Sequence, residues 1–392
     1  MEENIEVNYE ESRYARLELI PWWNQDKLLK ARIMVVGAGA IGNEIIKNLA
    51  LLGIGYIFIV DIDKIENTNL TRSVLFRQAD LGRYKSEVAA ERAMEMNPDV
   101  KAIALTENII FEIGLGLFRE MDLILGGLDN REARYAVNQA CYLLNKPWVD
   151  GAIEALNGFV RVFAPPGPCY ECTMSEMDWK LLNKRRSCAL LTHEEIAEGK
   201  IPTTSTSSSI IAGIEVQEML KLLHDDRGLQ TLAGKGYVFN GLTHDSYVVE
   251  YQRKDTCMCH DPCERIEEKP WSSRYTTVYQ VLEQAKSDLG ENAVLEFDKD
   301  ILVQANCSCG NQRNFYRIAS TVSHADILCN QCGKEMQLEI THTVCGNELF
   351  LDKTLHEIGV PLFHIIAARN SSEYIYYELS DDRREMLGGL CE

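Results

Sequence analysis

The chain has 392 residues, of which 46% are hydrophobic and 25% are charged, which is the composition of a globular protein rather than a disordered one. A formal net charge of −19 argues against a nucleic-acid-binding protein, because phosphate contacts need a basic face. The acidic N-terminal stretch does not have the pattern of a signal peptide, and the most apolar run, 49–60, is too short and too interrupted to span a membrane. We therefore expect a cytoplasmic protein of two or three domains that contacts neither nucleic acid nor membrane.

The first half of the chain alternates between strand and helix patterns. Residues 1–30 predict a helical N-terminal segment, and a strand, a glycine-rich turn, a helix and a second strand follow up to residue 61. This strand–helix–strand unit is typical of a parallel, doubly wound sheet. The alternation continues to residue 145, and successive strand patterns over 147–168 then predict that the parallel sheet becomes mixed. The expected fold class is α/β with a Rossmann-like sheet.

Two later regions depart from this alternation. Residues 173–209 show little pattern and predict a long loop, which inside a compact domain is usually functional or mobile. A cysteine-rich boundary follows Asp255, and the region beyond it predicts one helix, short strands and a smaller zinc-containing α+β fold. We therefore expect three units: the N-terminal segment 1–30, a main domain 31–264 and a C-terminal domain 265–392.

A glycine motif marks the first candidate site. Gly37, Gly39 and Gly42 form G-x-G-x-x-G between the first strand and the helix that follows it, and Asp61 comes nineteen residues after Gly42. Such glycines allow a tight turn and a close approach of phosphate to backbone amides, while the acid accepts hydrogen bonds from ribose hydroxyls. The motif predicts a nucleotide site, but by itself it does not separate a nicotinamide cofactor from ATP.

Polar and cationic residues beyond the glycine motif separate these two ligands. Asn69, Arg72 and Lys85 follow the ribose-binding acid. Hydride transfer has no use for such cations, whereas phosphoryl or adenylyl transfer does, because negative charge builds up on the phosphates. Asp129 ends a later strand at the same edge of the sheet and supplies a carboxylate suited to Mg²⁺. Together these residues favour ATP with Mg²⁺.

Six short motifs in this order resemble those of one family. They are R-Y-A-R at 13–16, G-A-G-A-I-G at 37–42, D-I-D at 61–63, N-L-T-R at 69–72, D-L-G-R-Y-K at 80–85 and L-D-N-R at 128–131. Their order and spacing resemble those of the ubiquitin-like-protein activating enzymes, which are related to the bacterial adenylyltransferases that activate sulfur-carrier proteins. The resemblance covers residues 10–265.

The resemblance implies an enzyme that adenylates the C-terminal carboxylate of a ubiquitin-like β-grasp protein with ATP and Mg²⁺. By position, it implies that Asp61 holds the ribose, that Arg72 and Lys85 hold the phosphates, and that Asp129 holds the magnesium ion. It also implies a homodimer in which Arg16 reaches into the active site of the other copy.

Thirteen cysteines in a chain expected to be cytoplasmic indicate metal binding or catalysis rather than disulfides. Cys169 and Cys172 lie on a turn rich in proline and glycine, with the two-residue spacing that lets two thiolates bind one zinc ion. In the family, a second pair after the adenylation domain completes this site, but the usual C-x-x-C is absent here. The second pair that we predict is Cys259 and Cys263, with Cys257 or His260 as substitutes.

A second group of cysteines predicts a separate zinc ribbon. Its two knuckles are C-S-C-G at 307–310 and C-N-Q-C-G at 329–333, each with a glycine after the second cysteine. The predicted ligands are Cys307, Cys309, Cys329 and Cys332. Zinc would hold together a region with too few apolar residues for a core of its own.

Cys188 stands apart from both groups, within the segment 173–209. Three cations at 184–186 favour its thiolate, the form that attacks an acyl group. In the thioester-forming members of the family the nucleophile lies at about this position, usually before a threonine, whereas Ala189 follows here. The alternative interpretation is a buried structural cysteine.

The leading hypothesis is therefore an activating enzyme that forms an acyl-adenylate and then a thioester on Cys188, and that passes the acyl group to a conjugating enzyme. A second hypothesis is a sulfur-carrier adenylyltransferase that stops at the adenylate. A third is a non-catalytic scaffold subunit, against which the presence of Arg72, Lys85 and Asp129 in one chain argues. Related activating enzymes recruit the conjugating enzyme through a C-terminal β-grasp domain, and we hypothesise that role for the region 265–392.

Overall fold

Two mixed sheets organise the chain in a computed structural model that describes residues 12–187, 202–388 and 390. The strands of the first sheet are β1 (Arg32–Val36), β2 (Tyr56–Val60), β3 (Lys101–Leu105), β4 (Leu123–Gly126), β5 (Trp148–Glu154), β6 (Asn157–Phe163), β7 (Lys235–Asn240) and β8 (Asp245–Glu250). Their order across the sheet is β3-β2-β1-β4-β5-β6-β7-β8. From β1 the chain first adds β2 and β3 on one side of the sheet, and it then adds β4 to β8 on the other side.

Strands β1 to β5 run parallel, and β6 to β8 run antiparallel to their neighbours. Val36 at the end of β1 lies beside Val60 of β2 and Gly126 of β4, and these strands point the same way. From β5 onward each strand turns back, as where Asp150 of β5 pairs with Arg161 of β6. The prediction of an α/β sheet that changes from parallel to mixed is confirmed. Parallel strands are usually buried, whereas antiparallel strands can face water. The sheet follows this rule, because the parallel strand β4 is buried along its length and the antiparallel strand β8 is exposed throughout.

Helices cover both faces of this sheet. They are α1 (Gln25–Lys30), α2 (Ala40–Leu52), α3 (Lys85–Met96), α4 (Leu115–Glu120), α5 (Arg131–Leu143), α6 (Tyr170–Thr173), α7 (Glu176–Ser187) and α8 (Ser205–Leu223). On one face α2, α3 and α8 contribute Ile45, Val88 and Val216 to an apolar core. On the other face α4 and α5 contribute Phe118 and Val137 to a second core. None of the helices in the described residues is both long enough and apolar enough to cross a bilayer.

Helix formation differs from the sequence prediction at two places. The described part of the N-terminal segment is α-helical only in α1, whose first turn is capped where Asn24 accepts a hydrogen bond from the Lys27 N–H at 3.1 Å. Helix α7 lies within the region 173–209 that was predicted to be a loop. This helix has many charged residues and almost no apolar stripe, which is why its periodicity did not reveal it. Cys188, the predicted nucleophile, lies outside the described residues.

A second sheet and one long helix form the C-terminal region. Its strands are β9 (Ile266–Lys269), β10 (Val294–Asn306), β11 (Gln312–Ile318), β12 (Gln337–Val344), β13 (Ile365–Arg369) and β14 (Tyr374–Leu379), and its helices are α9 (Val278–Leu289), α10 (His324–Ile327) and α11 (Arg383–Met386). The sheet order is β11-β10-β13-β14-β9, with β12 paired to β10. Val281 of α9 packs in one core with Leu295 and Tyr377 of the sheet.

The two sheets are joined by a shared apolar core. Phe363 of the C-terminal region is fully buried in the same cluster as Phe118 of α4. The Gly116 N–H donates to the Phe363 carbonyl at 2.8 Å, and a Cβ on Gly116 would lie 2.5 Å from that oxygen. Arg119 of α4 pairs with the buried carboxylate of Glu378 at 2.8 Å. The C-terminal region is therefore packed against the main domain rather than attached by a linker alone.

Candidate functional site

The glycine-rich turn joins β1 to α2 at the carboxyl edge of the large sheet. Gly37 has a φ of +91°, and a Cβ there would lie 2.6 Å from the carbonyl oxygen of Gly127. A Cβ on Gly42 would overlap the carbonyl oxygen of Gly37. Gly39 differs, because nothing lies within 4 Å of the Cβ position. Packing thus requires glycine at 37 and 42, while Gly39 borders open space in which a phosphate can approach the backbone.

The first turn of α2 has no side-chain cap among the residues that the structure describes. Gly39 is the N-cap residue, and no side chain accepts hydrogen bonds from the first N–H groups of the helix. Such N–H groups point outward at the positive end of the helix dipole and bind anions. The backbone at this turn therefore fits the phosphates of a nucleotide.

The loop that carries Asp129 lies directly against the glycine turn. It follows β4, the neighbour of β1, and the Gly127 N–H donates to the Val36 carbonyl at 2.9 Å. A Cβ on Gly127 would lie 2.8 Å from the backbone nitrogen of Gly42. Asp129 is exposed, and Asn130 Nδ2 donates to its Oδ1 at 3.2 Å. The carboxylate keeps lone pairs that face solvent, which fits a ligand for Mg²⁺.

Asp61 and Lys85 are tied together through Asp63. Asp61 Oδ2 accepts from the Ala38 N–H at 2.7 Å, and its Oδ1 accepts from the Asp63 N–H at 2.8 Å. Asp63 Oδ2 in turn pairs with Lys85 Nζ at 2.8 Å, and the Lys85 side chain is only 11% exposed. Burial raises the pKa of the Asp61 carboxyl, and the positive charge of Lys85 opposes that rise. The pair places a hydrogen-bond acceptor for ribose next to a fixed cation for phosphate.

Asn69 is the last residue of a short 3-10 turn, 67–69, and Arg72 follows this turn. Asn69 Oδ1 accepts from the Glu66 N–H at 2.9 Å, so the amide that was predicted to contact the nucleotide also caps its own turn. Arg72 Nη1 donates to the Thr68 carbonyl at 3.0 Å. A guanidinium has five N–H donors, so this bond orients Arg72 and leaves donors for an anion.

Sequence reasoning missed Asn43, which connects these parts. Asn43 is fully buried on α2, and its Nδ2 donates to the carbonyls of Ala38 at 2.6 Å and of Gly39 at 3.1 Å. Its Oδ1 accepts from the Leu75 N–H at 2.9 Å. One side chain thus fixes the glycine turn to the segment that carries Arg72. The available signal was an amide directly after the last motif glycine, in the first turn of a largely apolar helix.

Arg16 lies on the exposed N-terminal turns and not among these residues. Its segment is anchored by the buried Tyr14, whose hydroxyl donates to Asp99 at 3.0 Å and accepts from Asn97 at 2.8 Å. The anchor leaves Arg16 pointing away from the core of its own chain. Its predicted role in the site of a second copy stays a prediction.

Four side chains form a first candidate metal site, with ligand atoms within 4.8 Å of one another: Cys169, Cys172, Cys257 and His260. The Sγ of Cys169 lies 3.8 Å from that of Cys172 and 3.6 Å from that of Cys257. Cys172 Sγ lies 3.5 Å from His260 Nε2. A tetrahedral zinc ion with bonds of about 2.3 Å to sulfur and about 2.0 Å to nitrogen requires separations of about 3.5–3.8 Å. The donor set and its spacing fit zinc.

The second pair in this group differs from the pair that the sequence favoured. Cys257 and His260, which were the substitutes, belong to the group of four, whereas Cys259 and Cys263 do not. Cys259 Sγ instead accepts from Asn138 Nδ2 at 3.1 Å, and a hydrogen bond from Cys259 lowers the pKa of the Cys169 thiol. The signal in the sequence was the C-x-x-H spacing of 257–260, which preserves the two-residue spacing of C-x-x-C.

The predicted ribbon ligands do come together as a second group of four, Cys307, Cys309, Cys329 and Cys332. Cys307 Sγ lies 3.4 Å from Cys332 Sγ, and Cys309 Sγ lies 3.6 Å from Cys329 Sγ. Asn311 Nδ2 donates to the sulfur of Cys329 at 3.4 Å, which stabilises a thiolate there. This arrangement also fits zinc.

Comparison with known proteins identifies the family of this site. The ThiF family matches residues 11–260, which contain the glycine turn, Asp61, Lys85, the Asp129 loop and the first cysteine group. The chain belongs to the ThiF family. The resemblance that the six motifs indicated is thereby confirmed.

Several characterised proteins are similar to parts of this ThiF-family chain. A sulfur carrier protein adenylyltransferase of Thermus thermophilus is 38% identical over 169 residues, covering 41% of this chain and 62% of that protein. The SAMP-activating enzyme E1 of Haloferax volcanii is 28% identical over 256 residues, covering 63% of this chain and 86% of that protein. The match to the maize adenylyltransferase and sulfurtransferase MOCS3-1 spans 35% of that protein. The chain thus spans less than two thirds of the Thermus and maize relatives.

The fold of the main domain is also that of solved structures. The crystal structure of Escherichia coli MccB with succinimide superposes with a TM-score of 0.53 and 26% sequence identity, covering 64% of this chain and 75% of that one. This likeness supports the Rossmann-like arrangement of the large mixed sheet. The C-terminal region lies beyond the family match.

Proposed function

We propose that this protein uses ATP to adenylate the C-terminal carboxylate of a ubiquitin-like β-grasp protein. The observation that carries the proposal is the contact between two loops, since the glycine turn after β1 and the Asp129 loop after β4 touch through Gly37, Gly42 and Gly127. This contact brings an anion-binding helix terminus and a carboxylate to one place, beside the pair formed by Asp61 and Lys85. The names of the Thermus and Haloferax relatives support the same reaction and a protein substrate.

The residues of the chain have separate tasks in this reaction. The substrate carboxylate attacks the α-phosphorus of ATP, a new P–O bond forms, and pyrophosphate leaves with the electrons of the broken bond. The N–H groups at the start of α2, together with Arg72 and Lys85, stabilise the negative charge on the phosphates. Asp61 orients the nucleotide by accepting hydrogen bonds from ribose hydroxyls. Mg²⁺, held by Asp129, would supply further charge neutralisation at the phosphates.

A surface groove offers a place for the protein substrate. It has a volume of about 250 Å³ and lies across β5 to β8, where Phe159, Phe239 and Tyr247 line it. Phe159 is 36% exposed and Tyr247 is 59% exposed, and the strand register places them in one row on either side of Val238. Exposed apolar side chains in one patch mark a surface that another protein covers. The groove is part of the same sheet as the nucleotide loops, so a bound protein could direct its C-terminus toward them.

The second step of the proposal places the acyl group on Cys188 as a thioester. The sulfur attacks the carbonyl carbon of the adenylate, AMP leaves, and the acyl group then passes to a thiol of a conjugating enzyme. The support is the sequence, in which three cations precede Cys188. We propose in addition that the C-terminal region 265–392 recruits the conjugating enzyme, that the protein is a homodimer completed by Arg16, and that both cysteine groups bind zinc.

Pyrophosphate exchange tests the first step. With ATP, Mg²⁺ and a β-grasp protein that ends in a free carboxylate, we expect exchange of labelled pyrophosphate into ATP. Arg72→Ala or Asp129→Asn should lower the rate by about 10²–10³-fold, which corresponds to about 3–4 kcal/mol. Arg77→Ala is the matched control, because Arg77 is exposed on the same segment and its guanidinium donates to the nearby carbonyls of Val74 and Phe76. Exchange at the same rate without the protein substrate, or at the wild-type rate in both variants, would contradict the proposal.

A reductant-sensitive adduct tests the second step with the same components. The wild-type chain should form it, and Cys188→Ala should lose it while keeping pyrophosphate exchange. Cys345→Ala is the control, because Cys345 is an exposed thiol outside both metal groups. If the wild-type chain exchanges pyrophosphate but forms no adduct, the acyl-adenylate is its product and it acts as a sulfur-carrier adenylyltransferase.

A further inference from the structure

A buried group of three ions lies beneath the loop that carries Asp129. Arg134 on α5 is 8% exposed, Asp150 on β5 is fully buried, and Arg161 projects from β6. Arg134 Nε donates to Asp150 Oδ1 at 2.8 Å. Arg161 donates to the other oxygen, Oδ2, through Nε at 3.0 Å and through Nη2. Both oxygens of one carboxylate are thus held by guanidinium groups from two different elements.

The position of this group follows from the sheet register. Asp150 pairs directly with Gly126 at the end of β4 and with Arg161 on β6, so the three positions form a row across three strands. A Cβ on Gly126 would lie 3.5 Å from Asp150 Oδ1. Gly126 is only three residues before Asp129.

Arg134 uses its remaining donors on the loop itself. Its Nη2 donates to the Leu128 carbonyl at 2.6 Å, and its Nη1 reaches the Asn130 carbonyl at 3.5 Å. These two carbonyls belong to the residues on either side of Asp129. Nη2 also donates to the Gly151 carbonyl at 3.3 Å, which ties the loop to β5. A single planar side chain therefore donates hydrogen bonds to the backbone before and after the proposed magnesium ligand.

Arg161 is itself held in place from the far side. Its guanidinium carbon lies 4.8 Å from the centroid of the Phe159 ring and 4.9 Å from that of Tyr170. Tyr170 is buried and directly follows Cys169 of the first cysteine group. Phe159 lines the groove on β5 to β8. The row thus extends from the substrate groove and the metal group to the nucleotide loop.

We propose that Arg134 is a positioning residue that fixes the Asp129 loop for magnesium and ATP, and that Asp150 and Arg161 hold Arg134 in register. The proposal rests on the proposed adenylation reaction. Two guanidinium groups face one carboxylate, so the group carries a positive charge in excess beneath the phosphate-binding edge. Glu215 is a buried acid on the neighbouring helix α8, and burial raises the pKa of its carboxyl well above its ordinary value, which weakens any offset of this charge.

The geometry makes a conservative substitution informative. Lysine at 134 keeps the positive charge beside Asp150, but it offers three donors on one atom and lacks the rigid fork that reaches Leu128 and Asn130 together. Arg134→Lys therefore keeps the positive charge but loses the pair of hydrogen bonds to the loop carbonyls. A matched control exists elsewhere in the chain, because Arg119 pairs with the buried Glu378 at 2.8 Å and makes no contact with the nucleotide loop. Arg119→Lys therefore reports the general cost of replacing a guanidinium that pairs with a buried carboxylate, although Arg119 itself is 33% exposed and also pairs with Glu268.

Three measurements on full-length Arg134→Lys test the proposal. Hydrogen exchange at the amides of 127–131 should become at least about 10-fold faster, and Mn²⁺ binding in the presence of ATP, followed by electron paramagnetic resonance, should weaken by about 10–100-fold. In pyrophosphate exchange, the half-saturating Mg²⁺ concentration should rise by a similar factor, while the KM for the β-grasp protein stays within about twofold. Arg119→Lys should leave all three unchanged.

Unchanged hydrogen exchange at 127–131 in Arg134→Lys would overturn the proposal, and so would equal effects of Arg119→Lys on the loop. If Arg134→Lys does not fold, Arg161→Lys provides an indirect form of the same test. It leaves Arg134 in the chain and changes only the second guanidinium that holds Asp150. If the wild-type chain shows no pyrophosphate exchange at all, the proposed function fails, yet hydrogen exchange and Mn²⁺ binding still decide whether Arg134 positions the loop.

Discussion

The two cysteine groups contain similar donors but are built in opposite ways. The first draws Cys169 and Cys257 from positions 88 residues apart, and both pack with the large core on the α4 and α5 face of the main sheet. The second joins Cys307 and Cys332 across only 25 residues. Its own core consists of few buried residues, Ala305, Cys307, Cys329 and Met336, and the only other buried cluster among the described residues of this segment is the small one of Leu302, Val322 and Ile327. Similar donor sets therefore lie in two different packing environments, one within a large core and one within a small core.

The difference shows when a metal adds to a fold and when it replaces one. Around the first group the apolar side chains of two sheets and several helices are already buried, so a zinc ion would stabilise a structure that has its own core. Around the second group two of the four core residues, Cys307 and Cys329, are themselves members of the group proposed to bind the metal. A zinc ion bound there would supply much of the folding free energy of this small region.

The largest effect is expected at the second group. Cys329→Ser, or removal of the metal by a chelator, should unfold residues 307–336, because metal binding contributes about 10–16 kcal/mol in small zinc domains that lack another core. Hydrogen exchange of the intact chain measures this locally. The amides of 307–336 should lose protection, while those of β1 to β5 keep it.

Cys345→Ser is the control for this experiment, because Cys345 lies close in sequence but outside the group of four. Protection of 307–336 that persists in metal-free protein would contradict the comparison, since the ribbon would then have a core of its own.

A smaller and more global effect is expected at the first group. Cys169→Ser should lower the free energy of unfolding by about 3 kcal/mol, the range of a lost metal ligand in a core that otherwise stays packed. For a domain of this size that corresponds to a melting temperature lowered by about 6–12 °C. Thermal unfolding followed by calorimetry measures it. Cys263→Ser, outside the group, should have less than a third of this effect. A local loss of protection without a change in melting temperature would show that both groups act alike.

The large sheet could be predicted from the sequence because its signals are local. Continuous apolar runs such as YIFIV at 56–60 mark strands buried on both faces, and glycine at 37, 39 and 42 marks the turn between strand and helix. Roles for Asp61 and Lys85 were also predicted, for Asp61 from its place directly after β2 and for Lys85 from the family motif at 80–85. Their connection through Asp63 was not, because it depends on a side-chain bond between a loop and a helix.

The features that escaped prediction are non-local. Arg134 was read only as one residue of a helix, since its contacts with Leu128 and Asp150 appear only when α5 packs on the sheet. The contact of Gly116 with Phe363 joins positions 247 residues apart, and neither segment carries a sequence pattern that predicts this contact. Sequence boundaries therefore suggested a C-terminal domain that could be separated. The shared core argues instead that removing it would expose Phe118 and its neighbours.

The smallest effect concerns the identity of one ligand, and it bears directly on how the first group is built. His260 Nε2 lies 3.5 Å from Cys172 Sγ, which suits a shared metal, while Arg253 Nε donates to His260 Nδ1 at 3.1 Å. A metal on Nε2 needs the ring proton on Nδ1, so Arg253 must turn away when the metal binds. Cys259 is the competing ligand that the sequence favoured. We expect the geometry to decide for His260, because Cys259 is already engaged as a hydrogen-bond partner of Asn138 at 3.1 Å.

Cobalt substitution measures the outcome without reference to activity. Protein loaded with Co²⁺ in place of zinc at the first group should show the absorption of three sulfurs and one nitrogen. To remove the signal of the ribbon, the spectra are taken as differences between proteins with and without each change. His260→Cys should shift the spectrum to that of four sulfurs with the same metal content, because the two-residue spacing to Cys257 is kept. Cys259→Ser should leave it unchanged. A spectrum that responds to Cys259→Ser and not to His260→Cys would make Cys259 the ligand, and the C-x-x-H spacing would then be incidental.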